Sequence, residues 1–361
     1  RARSNYSMPP SVHSRRMWWV GLPILVGLVA VASSYLVLGQ TEHPLASLMG
    51  ATVVMPGATH AGPLPPLTDL QTRVRENLRK DLGRLAGEIG ERNLTKPVAY
   101  AEAMRFVEGR LAAAGNEVQR QTYEVKGRPC VNLVVERKGS DAADDIVIIG
   151  AHYDSAPFTP GANDNGSGTV ALLSLADLLK DFKPDRTLRL VAFANEEPPY
   201  FQTDAMGSLV YAKACKARGD RIVAMLSLET MGYFRDKAGS QKYPAPFSWF
   251  YPDTGDFIAF IGNRESEALV KDVTGSFRKH AEFPSEGGAV PGRIEGVGWS
   301  DHWSFWQCGY PGVMVTDTAH FRYPHYHRPT DTPDRIDYDR LARVVVGLRD
   351  VVINLSNRSA P

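Results

Sequence analysis

The chain has 361 residues, of which 43% are hydrophobic and 22% charged, enough apolar sequence for one large folded domain or two modest ones. This composition excludes intrinsic disorder over most of the chain. The 41 basic and 40 acidic residues nearly cancel, so net charge gives no argument for a nucleic-acid partner. The three cysteines, Cys130, Cys215 and Cys308, are too few and too widely spaced for a disulfide-stapled scaffold or a cysteine-rich zinc finger.

The N-terminal end of the chain has the pattern of a membrane anchor. Residues 18–38 form an uncharged, apolar run of the length that crosses a bilayer as a helix. Arg15 and Arg16 precede this run, and such residues stay on the cytoplasmic side, so residues 1–17 are predicted inside and the bulk of the chain outside. A signal cleaved near residues 30–32 is the alternative. We favour a retained anchor because the apolar run continues beyond that site, and either reading places the folded part on the extracytoplasmic side.

The rest of the chain has the pattern of a linker followed by one α/β domain. Residues 39–66 are rich in Pro, Gly and Ala and predict a linker, and residues 67–357 form the domain. Helices are predicted at 67–89 with Thr68 or Asp69 as the cap, and at 97–114, 168–179, 206–217, 265–279 and 338–355. Strands are predicted at 117–125, 131–137, 146–149, 187–194, 222–228 and 312–316. Because most of these strands are apolar throughout and alternate with helices, we expect a largely parallel central sheet sandwiched by helices.

Imidazole or carboxylate side chains follow four of the predicted strands. They are His152 and Asp154 after the third strand, Glu196 and Glu197 after the fourth, Glu229 after the fifth and His327 beyond the sixth. Asp164 lies in a glycine-bounded turn that opens the helix at 168. Ligands of open α/β sheets bind beyond the carboxyl ends of the strands, so we expect these side chains to converge. Two histidines and three carboxylates suit zinc, and one carboxylate can bridge two cations, so the pattern predicts a two-metal hydrolytic centre.

Two short patterns within this set suggest separate roles for neighbouring residues. In an extended segment, residues i and i+2 point the same way, so Asp154 is placed to orient His152 without binding metal. Glu196 and Glu197 are adjacent and diverge, so one can bind metal while the other stays free as a general base. Each pattern alone also suits a surface pair or a solvated loop. Their order at successive strand ends favours the functional interpretation.

Six strings together carry a family resemblance: GAHYDSAP, GANDNGSG, FANEEP, SLETMGYF, GWSDHWSF and YPHYHRPTDTPDRI. They resemble the co-catalytic zinc exopeptidases of metallopeptidase family twenty-eight, which includes bacterial aminopeptidases and glutamate carboxypeptidase. The resemblance implies the phosphorylase/hydrolase-like zinc exopeptidase fold, two Zn²⁺ ions per chain and a peptide substrate. The ligands it implies are His152, Asp164 and Glu229 for one ion, and Asp164, Glu197 and His327 for the other. It further implies Glu196 as general base, Asp154 as the orienting residue and Tyr326 as a group that holds the substrate carbonyl.

The chain departs from the family pattern at a few positions. Glu229 stands where relatives more often carry Asp, and Asn165 stands where many carry a second Asp. Residues 198–205 make a longer link than usual, which suits either a wall of the substrate pocket or a plain surface loop. The string Ser300-Asp301-His302 is interpreted as a helix cap, with support of the metal ligands as the alternative.

Three functions are compatible with the resemblance. The first is an exopeptidase, for which we favour an aminopeptidase over a carboxypeptidase. The second is a glutaminyl cyclase, an acyltransferase with one zinc, which is disfavoured because cyclases tend to carry Asp-Ser where this chain has Asp164-Asn165. The third is a non-catalytic binding module, which is disfavoured because every ligand position is filled. A zinc stoichiometry of two, one or none distinguishes them, and the expected partners are a peptide substrate and a membrane, with no nucleic acid.

Overall fold

A computed structural model of the protein describes residues 43–357. The chain divides into two compact units, residues 1–50 and 51–361. In the first unit, the described residues include helix α1 (Pro44–Leu48). The predicted cytoplasmic tail (1–17) and transmembrane segment (18–38) lie outside the described residues. No helix among the residues that are described is long and apolar enough to span a bilayer.

The second unit carries an eight-stranded sheet and its flanking helices. The strands are β1 (Val118–Val125), β2 (Arg128–Arg137), β3 (Ala142–His152), β4 (Arg186–Phe193), β5 (Arg221–Glu229), β6 (Ile258–Gly262), β7 (Ser285–Ala289) and β8 (Val313–Thr316). The α-helices are α2 (Asp69–Leu82), α3 (Pro97–Ala113), α4 (Gly168–Leu178), α5 (Gly207–Arg218), α6 (Glu267–His280), α7 (His302–Gln307) and α8 (Tyr338–Ser356).

The sheet has the strand order β1-β2-β4-β3-β5-β8-β6-β7. Its centre, β4-β3-β5-β8, is parallel throughout. On one side, β1 and β2 form an antiparallel pair that joins β4 antiparallel, and on the other side β6 runs antiparallel to β8. The expected parallel sheet is therefore the centre of a mixed sheet.

Helices cover both faces of the sheet, and the central strands are buried on both sides. Along β3, Val147 and Ile149 point into the core formed with α2, α3, α4, α6 and α8. Ile146 and Ile148 point the opposite way, into the smaller core formed with α5 and α7. This is the alternation that a strand imposes on successive side chains. It explains why residues 146–149 of β3 form an uninterrupted apolar run.

Most predicted elements are present, with three differences of physical interest. Helix α2 begins at the predicted cap, where Thr68 and Gln71 form a capping box, but its regular part ends at Leu82 and continues as wider π-helical turns over Gly83–Ile89. Strands β6 and β7 were not predicted. Both have five residues, and β7 is the glycine-containing sequence SEGGA, too short and too weakly apolar for a periodicity to show. Within the stretch expected to be a linker, Thr52 makes a β-bridge to Ala289, the last residue of β7 at the edge of the sheet.

Candidate metal centre

The predicted site residues come from the ends of neighbouring parallel strands. His152 is the last residue of β3, and Glu229 is the last residue of β5. Glu196 and Glu197 follow the end of β4 at Phe193, on the other side of β3. Because these three strands are parallel, their carboxyl ends meet at one edge of the sheet.

Two groups of side chains at this edge could each hold a metal ion. His152, Asp164 and Glu229 form one group, and Asp164, Glu197 and His327 form the other; in each, one ligand atom per residue lies within 4.8 Å of the others. His152 Nε2 is 3.2 Å from Glu229 Oε2 and 3.7 Å from Asp164 Oδ1. His327 Nε2 is 2.9 Å from Asp164 Oδ2 and 3.2 Å from Glu197 Oε2. The structure thus brings together all five predicted ligands, with Asp164 shared by both groups.

The electrostatics of the two groups favour bound cations. Burial, with the neighbouring charge of Asp164, raises the pKa of Glu197 to about 7. Burial also raises the pKa of Glu229. Burial alone would lower the pKa of His327, but its hydrogen bonds to Asp164 and Glu197 raise that pKa to about 11. One oxygen of Glu197, Oε1, is buried without a hydrogen-bond partner among the described residues. Buried carboxylates so close together need positive charge to be stable, so the donor set fits divalent cations.

Asp154 lies where the sequence places an orienting residue, and it also holds the glutamate pair. Its Oδ1 is 3.4 Å from His152 Nδ1, the ring nitrogen that faces away from the first group. The same carboxylate accepts hydrogen bonds from the backbone N–H groups of Glu196 at 3.1 Å and Glu197 at 3.2 Å. One side chain therefore fixes both the imidazole ring and the chain that carries the two glutamates.

Glu196 is buried beside the two groups but belongs to neither. Its side chain is only 7% exposed, and its Oε2 is 3.8 Å from His152 Nε2. Burial raises the pKa of this carboxyl well above its usual value. A carboxylate in such surroundings accepts a proton more readily than one in water, as a general base requires.

Tyr326 connects the metal groups to a cavity. Its ring stacks on that of His327, with centroids 4.0 Å apart, and burial raises the pKa of its hydroxyl well above the usual value. The cavity has a volume of about 840 Å³, including its open mouth, and Glu229 and Tyr326 both line it. The apolar part of its wall comes from β6, β8 and nearby loops and includes Phe247, Phe257, Ala259, Ile261, Trp299 and Met314.

Asn165, one of the departures from the family pattern, joins three parts of the site. Its side-chain amide donates to the carbonyl of Leu228 at 2.7 Å. Its side-chain oxygen accepts from the N–H groups of Gly168 and Thr230, both at 3.1 Å. An aspartate could not donate the first of these bonds, so the asparagine here ties the Asp164 turn and the start of α4 to the end of β5.

Three residues of the centre were not predicted as site residues. Ser300 donates to Glu229 Oε2 at 2.7 Å. Asp301 stands at the N-cap of α7, as expected, but its side chain makes no capping bond; it is fully buried, and burial raises its pKa to about 7. Asp331 accepts from the N–H groups of Asn163 at 2.8 Å and Asp164 at 3.1 Å. Ser300 and Asp301 lie in the string GWSDHWSF and Asp331 lies in YPHYHRPTDTPDRI, but the resemblance assigned a role to none of them.

The link at residues 198–205 does not line the cavity. Gln202 within it donates to the carbonyl of Gly298 at 3.2 Å, in the loop that carries Trp299. The link therefore contacts the loop that carries Trp299 but does not itself line the cavity.

Comparison with known proteins connects this geometry to a family. Residues 132–352 match the model of peptidase family M28. The chain is 36% identical over 288 residues to the uncharacterized protein YfbL of Escherichia coli. The alignment covers 77% of this chain and 88% of YfbL. It is 30% identical over 222 residues to a probable leucine aminopeptidase 1 of Trichophyton verrucosum, covering 56% of this chain and 53% of that protein.

Solved structures with the same fold include a zinc aminopeptidase and a glutaminyl cyclase. The zinc aminopeptidase BSAP of Bacillus subtilis superposes with a TM-score of 0.61 at 17% identity, covering 79% of this chain and 95% of BSAP. A glutaminyl cyclase of Porphyromonas gingivalis superposes with a TM-score of 0.58 at 18% identity, covering 78% of this chain and 98% of the cyclase. These likenesses establish the fold. Together with the family match over more than half of its length, they establish that this chain, with its zinc exopeptidase fold, belongs to peptidase family M28.

Proposed function

We propose that this chain is a two-zinc exopeptidase that removes N-terminal residues from peptides, with Glu196 as its general base. The observation that carries the proposal is the pair of three-residue groups sharing Asp164, with Glu196 buried beside both and a member of neither.

The donor set fits zinc in number and kind. Imidazole nitrogen and carboxylate oxygen are both ordinary zinc ligands. His152, Asp164 and Glu229 would hold one ion, and Asp164, Glu197 and His327 the other. Zinc, when bound, supplies a Lewis acid that polarises the substrate carbonyl and lowers the pKa of water.

Three side chains of the protein would then transfer the proton, hold the general base in place and bind the substrate carbonyl. Glu196 takes the proton from the attacking water and passes it to the leaving amine, a role worth about 10² to 10⁴ in rate. Asp154 keeps Glu196 in place through the backbone N–H. Tyr326, a neutral phenol that lines the cavity, donates a hydrogen bond to the substrate carbonyl oxygen.

The cavity favours an aminopeptidase over a carboxypeptidase. Among the described residues that line it there is no lysine or arginine, so a free C-terminal carboxylate would lack a cationic partner. Two glutamates outside the ligand groups, Glu286 and Glu295, do line it, and a carboxylate suits a substrate ammonium group. The apolar wall suits a hydrophobic side chain in the residue to be removed. A probable leucine aminopeptidase among the relatives supports the same choice.

The proposal is tested by metal content and a matched substrate panel. Zinc per chain is measured by mass spectrometry on the purified protein. Hydrolysis is then followed on leucyl, phenylalanyl and alanyl anilides, on their N-acetylated counterparts, and on N-blocked dipeptides. We expect two zinc ions per chain, hydrolysis of the unblocked anilides alone, loss of activity on chelation and recovery when zinc is added back.

Other results would point elsewhere. Cleavage of N-blocked dipeptides would support a carboxypeptidase. One zinc per chain, with release of ammonia from an N-terminal glutaminyl peptide, would support a glutaminyl cyclase, the activity of a structural relative. Peptide binding without turnover would support a non-catalytic module.

We also propose that residues 18–38 anchor the protein in a membrane with the catalytic part on the extracytoplasmic side. Cells expressing the full chain are fractionated beside cells expressing residues 43–361. We expect to recover the full chain in the membrane fraction and to find it accessible to external protease in spheroplasts. We expect to recover the shorter chain in the soluble fraction. A full chain recovered entirely in the soluble cytoplasmic fraction would contradict this.

A further inference from the structure

Arg92 is a fully buried arginine whose donors face the backbone rather than a carboxylate. Its Nε donates to the carbonyl of Tyr153 at 2.6 Å, and its Nη2 donates to that of Gly161 at 2.8 Å. Nη1 donates to the carbonyls of Pro160 and Gly90. Burying a charged guanidinium costs free energy. The hydrogen bonds that Arg92 makes to the surrounding backbone have to offset that cost.

The carbonyls that Arg92 binds belong to the segment joining two predicted ligands. Tyr153 directly follows His152, and Gly161 lies three residues before Asp164. The backbone of Arg92 pairs with this segment as well, because its N–H donates to Ser155 Oγ and its C=O accepts from the N–H of Ser155, both at 3.1 Å. The arginine therefore fixes both ends of the connection.

The end near Asp164 is also held from its other side. Asp331 accepts from the N–H groups of Asn163 and Asp164. Gly161 has a φ of +59°, and a Cβ there would collide with the carbonyl oxygen of Asp164, so the turn has little freedom to shift. Arg92 therefore holds the backbone before Asp164 through its carbonyl oxygens. Asp331 holds the backbone at Asp164 through its N–H groups.

The charge of Arg92 also suits this place. Burial lowers the pKa of its guanidinium to about 10, against the opposing influence of Asp154, Asp331 and Asp164. The side chain therefore remains a cation at neutral pH, beside a set of buried carboxylates.

From these contacts we infer that Arg92 is a positioning residue for the metal centre: by holding the carbonyls of Tyr153, Pro160 and Gly161, it sets the place of Asp164 relative to His152. The inference rests on the proposed two-zinc function. Arg92 lies outside the residues that match the family model, and no sequence motif singles it out. Its removal is expected to weaken zinc binding because residues that orient metal ligands typically account for 10- to 100-fold in affinity.

The test compares Arg92→Lys with Arg278→Lys in the full chain. Lysine keeps the charge but cannot donate along the same forked directions. Arg278 is a matched control: it too is buried and donates to backbone carbonyls, those of Met55, Gly57 and Ser285, but next to β7 at the edge of the sheet. Zinc affinity of the metal-free proteins is measured by competition with a chromophoric chelator, and folding is followed by near-UV circular dichroism and Tm.

We expect Arg92→Lys to lower zinc affinity 10- to 100-fold, and Arg278→Lys to lower Tm without changing zinc affinity by more than twofold. In peptide hydrolysis, Arg92→Lys should reduce kcat far more than it changes KM, because Arg92 does not line the cavity. Equal zinc affinity in Arg92→Lys and the wild type would overturn the inference, as would an equal loss in the Arg278→Lys control.

Two further results keep the test decisive. If Arg92→Lys does not fold, Ser155→Ala is used, which removes the acceptor of the Arg92 N–H; a several-fold loss of zinc affinity supports the inference, and no loss overturns it. If the wild type hydrolyses no peptide, the proposed function fails, but the zinc affinities still decide the role of Arg92.

Discussion

Glu196 and Glu197 are neighbours in the chain with the same side chain, yet their surroundings give them different chemistry. Glu197 Oε2 is 3.2 Å from His327 Nε2, within one of the two ligand groups. Glu196 points toward His152 from outside both groups, and its pKa is raised by burial. Both are held through their backbone N–H groups by one carboxylate, that of Asp154, so their relative placement does not depend on the metal.

The difference between the two glutamates predicts opposite effects of the same substitution. Glu196→Gln should leave zinc content unchanged and lower kcat by about 10² to 10⁴, because only the proton acceptor is lost. Glu197→Gln should lower zinc occupancy to about one ion per chain, because a neutral amide is a poor zinc ligand. Zinc is measured by mass spectrometry and kcat on an unblocked anilide.

The exposed Glu282 offers a control of the same kind on the surface, and Glu282→Gln should match the wild type in both measurements. Turnover by Glu196→Gln within threefold of the wild type would remove the general-base role. Full zinc occupancy in Glu197→Gln would remove this side chain from the ligand set.

The raised pKa of Glu197 predicts a pH dependence of zinc binding. In the metal-free protein this carboxyl has a pKa of about 7, so below pH 7 zinc must displace its proton, whereas above pH 7 it is already ionised. His327, with a pKa of about 11, has to lose its proton on both sides of pH 7. Zinc affinity should therefore rise with pH, more steeply below pH 7 than above it.

The same shift fixes the sign of stability against pH for the metal-free protein. Between the ordinary pKa of a glutamate and about 7, folded Glu197 keeps a proton that the unfolded chain has lost, so its contribution to stability falls as pH rises across this range. Tm measured with chelator and with zinc from pH 5 to 8 checks both statements, since the rise in Tm caused by zinc should grow with pH. A zinc-induced rise that is the same at every pH would contradict them.

Among the elements, α4 and the end of β5 approach each other closely at the site. Gly168, the first residue of α4, lies against the carbonyl of Leu228 and the side chain of Asn165, leaving no room for a Cβ. The turn that carries Asp164 runs directly into this helix. The close approach of helix and strand is what lets Asn165 bridge them.

A methyl group at this junction should therefore damage both the fold and the metal site. Gly168→Ala is expected to cost about 1–3 kcal/mol in the free energy of unfolding, because the added atom forces the turn and the strand apart. Zinc affinity should fall as well. Gly109→Ala in α3 is the matched control: the position is exposed with open space around it, and alanine there should stabilise by about 0.5–1 kcal/mol.

Urea denaturation at fixed zinc measures both variants. A Gly168→Ala protein as stable as the wild type would mean that the junction can open without cost.

The elements also show what the sequence could and could not predict. The central strands were predicted because each contains a run of consecutive apolar residues and the runs alternate with helical segments, and most of the ligands follow their ends. Strands β6 and β7 were missed because five residues with glycines carry no period. Arg92 and Asp331 were given no role because each acts on backbone groups of a distant segment, and the sequence does not show which segment a side chain contacts.

In the molecule as a whole, the chemistry and the cavity come from different parts of the sheet. Four of the five candidate ligands follow β3, β4 and β5, and His327 comes from the loop after β8. The cavity wall comes largely from β6, β8 and the loops beside them. The two parts meet at Glu229 and Tyr326, which belong to the centre and also line the cavity.

This arrangement predicts that the cavity can be reshaped without changing the metal centre. Ala259→Phe should fill part of the cavity and raise KM for leucyl and phenylalanyl anilides by about tenfold or more, with little change for the alanyl anilide. Phe247→Ala should enlarge the cavity and favour the bulkier substrates. Zinc content should remain that of the wild type in both variants. Equal changes in KM for all three substrates would place their side chains outside this cavity.

The pairing of β5 with β8 is where these two parts of the sheet are joined. Substitutions on the β6 side can therefore accumulate while the residues of the two ligand groups stay unchanged. In the course of evolution, substrate preference could therefore change while the residues that would hold the metal ions are kept.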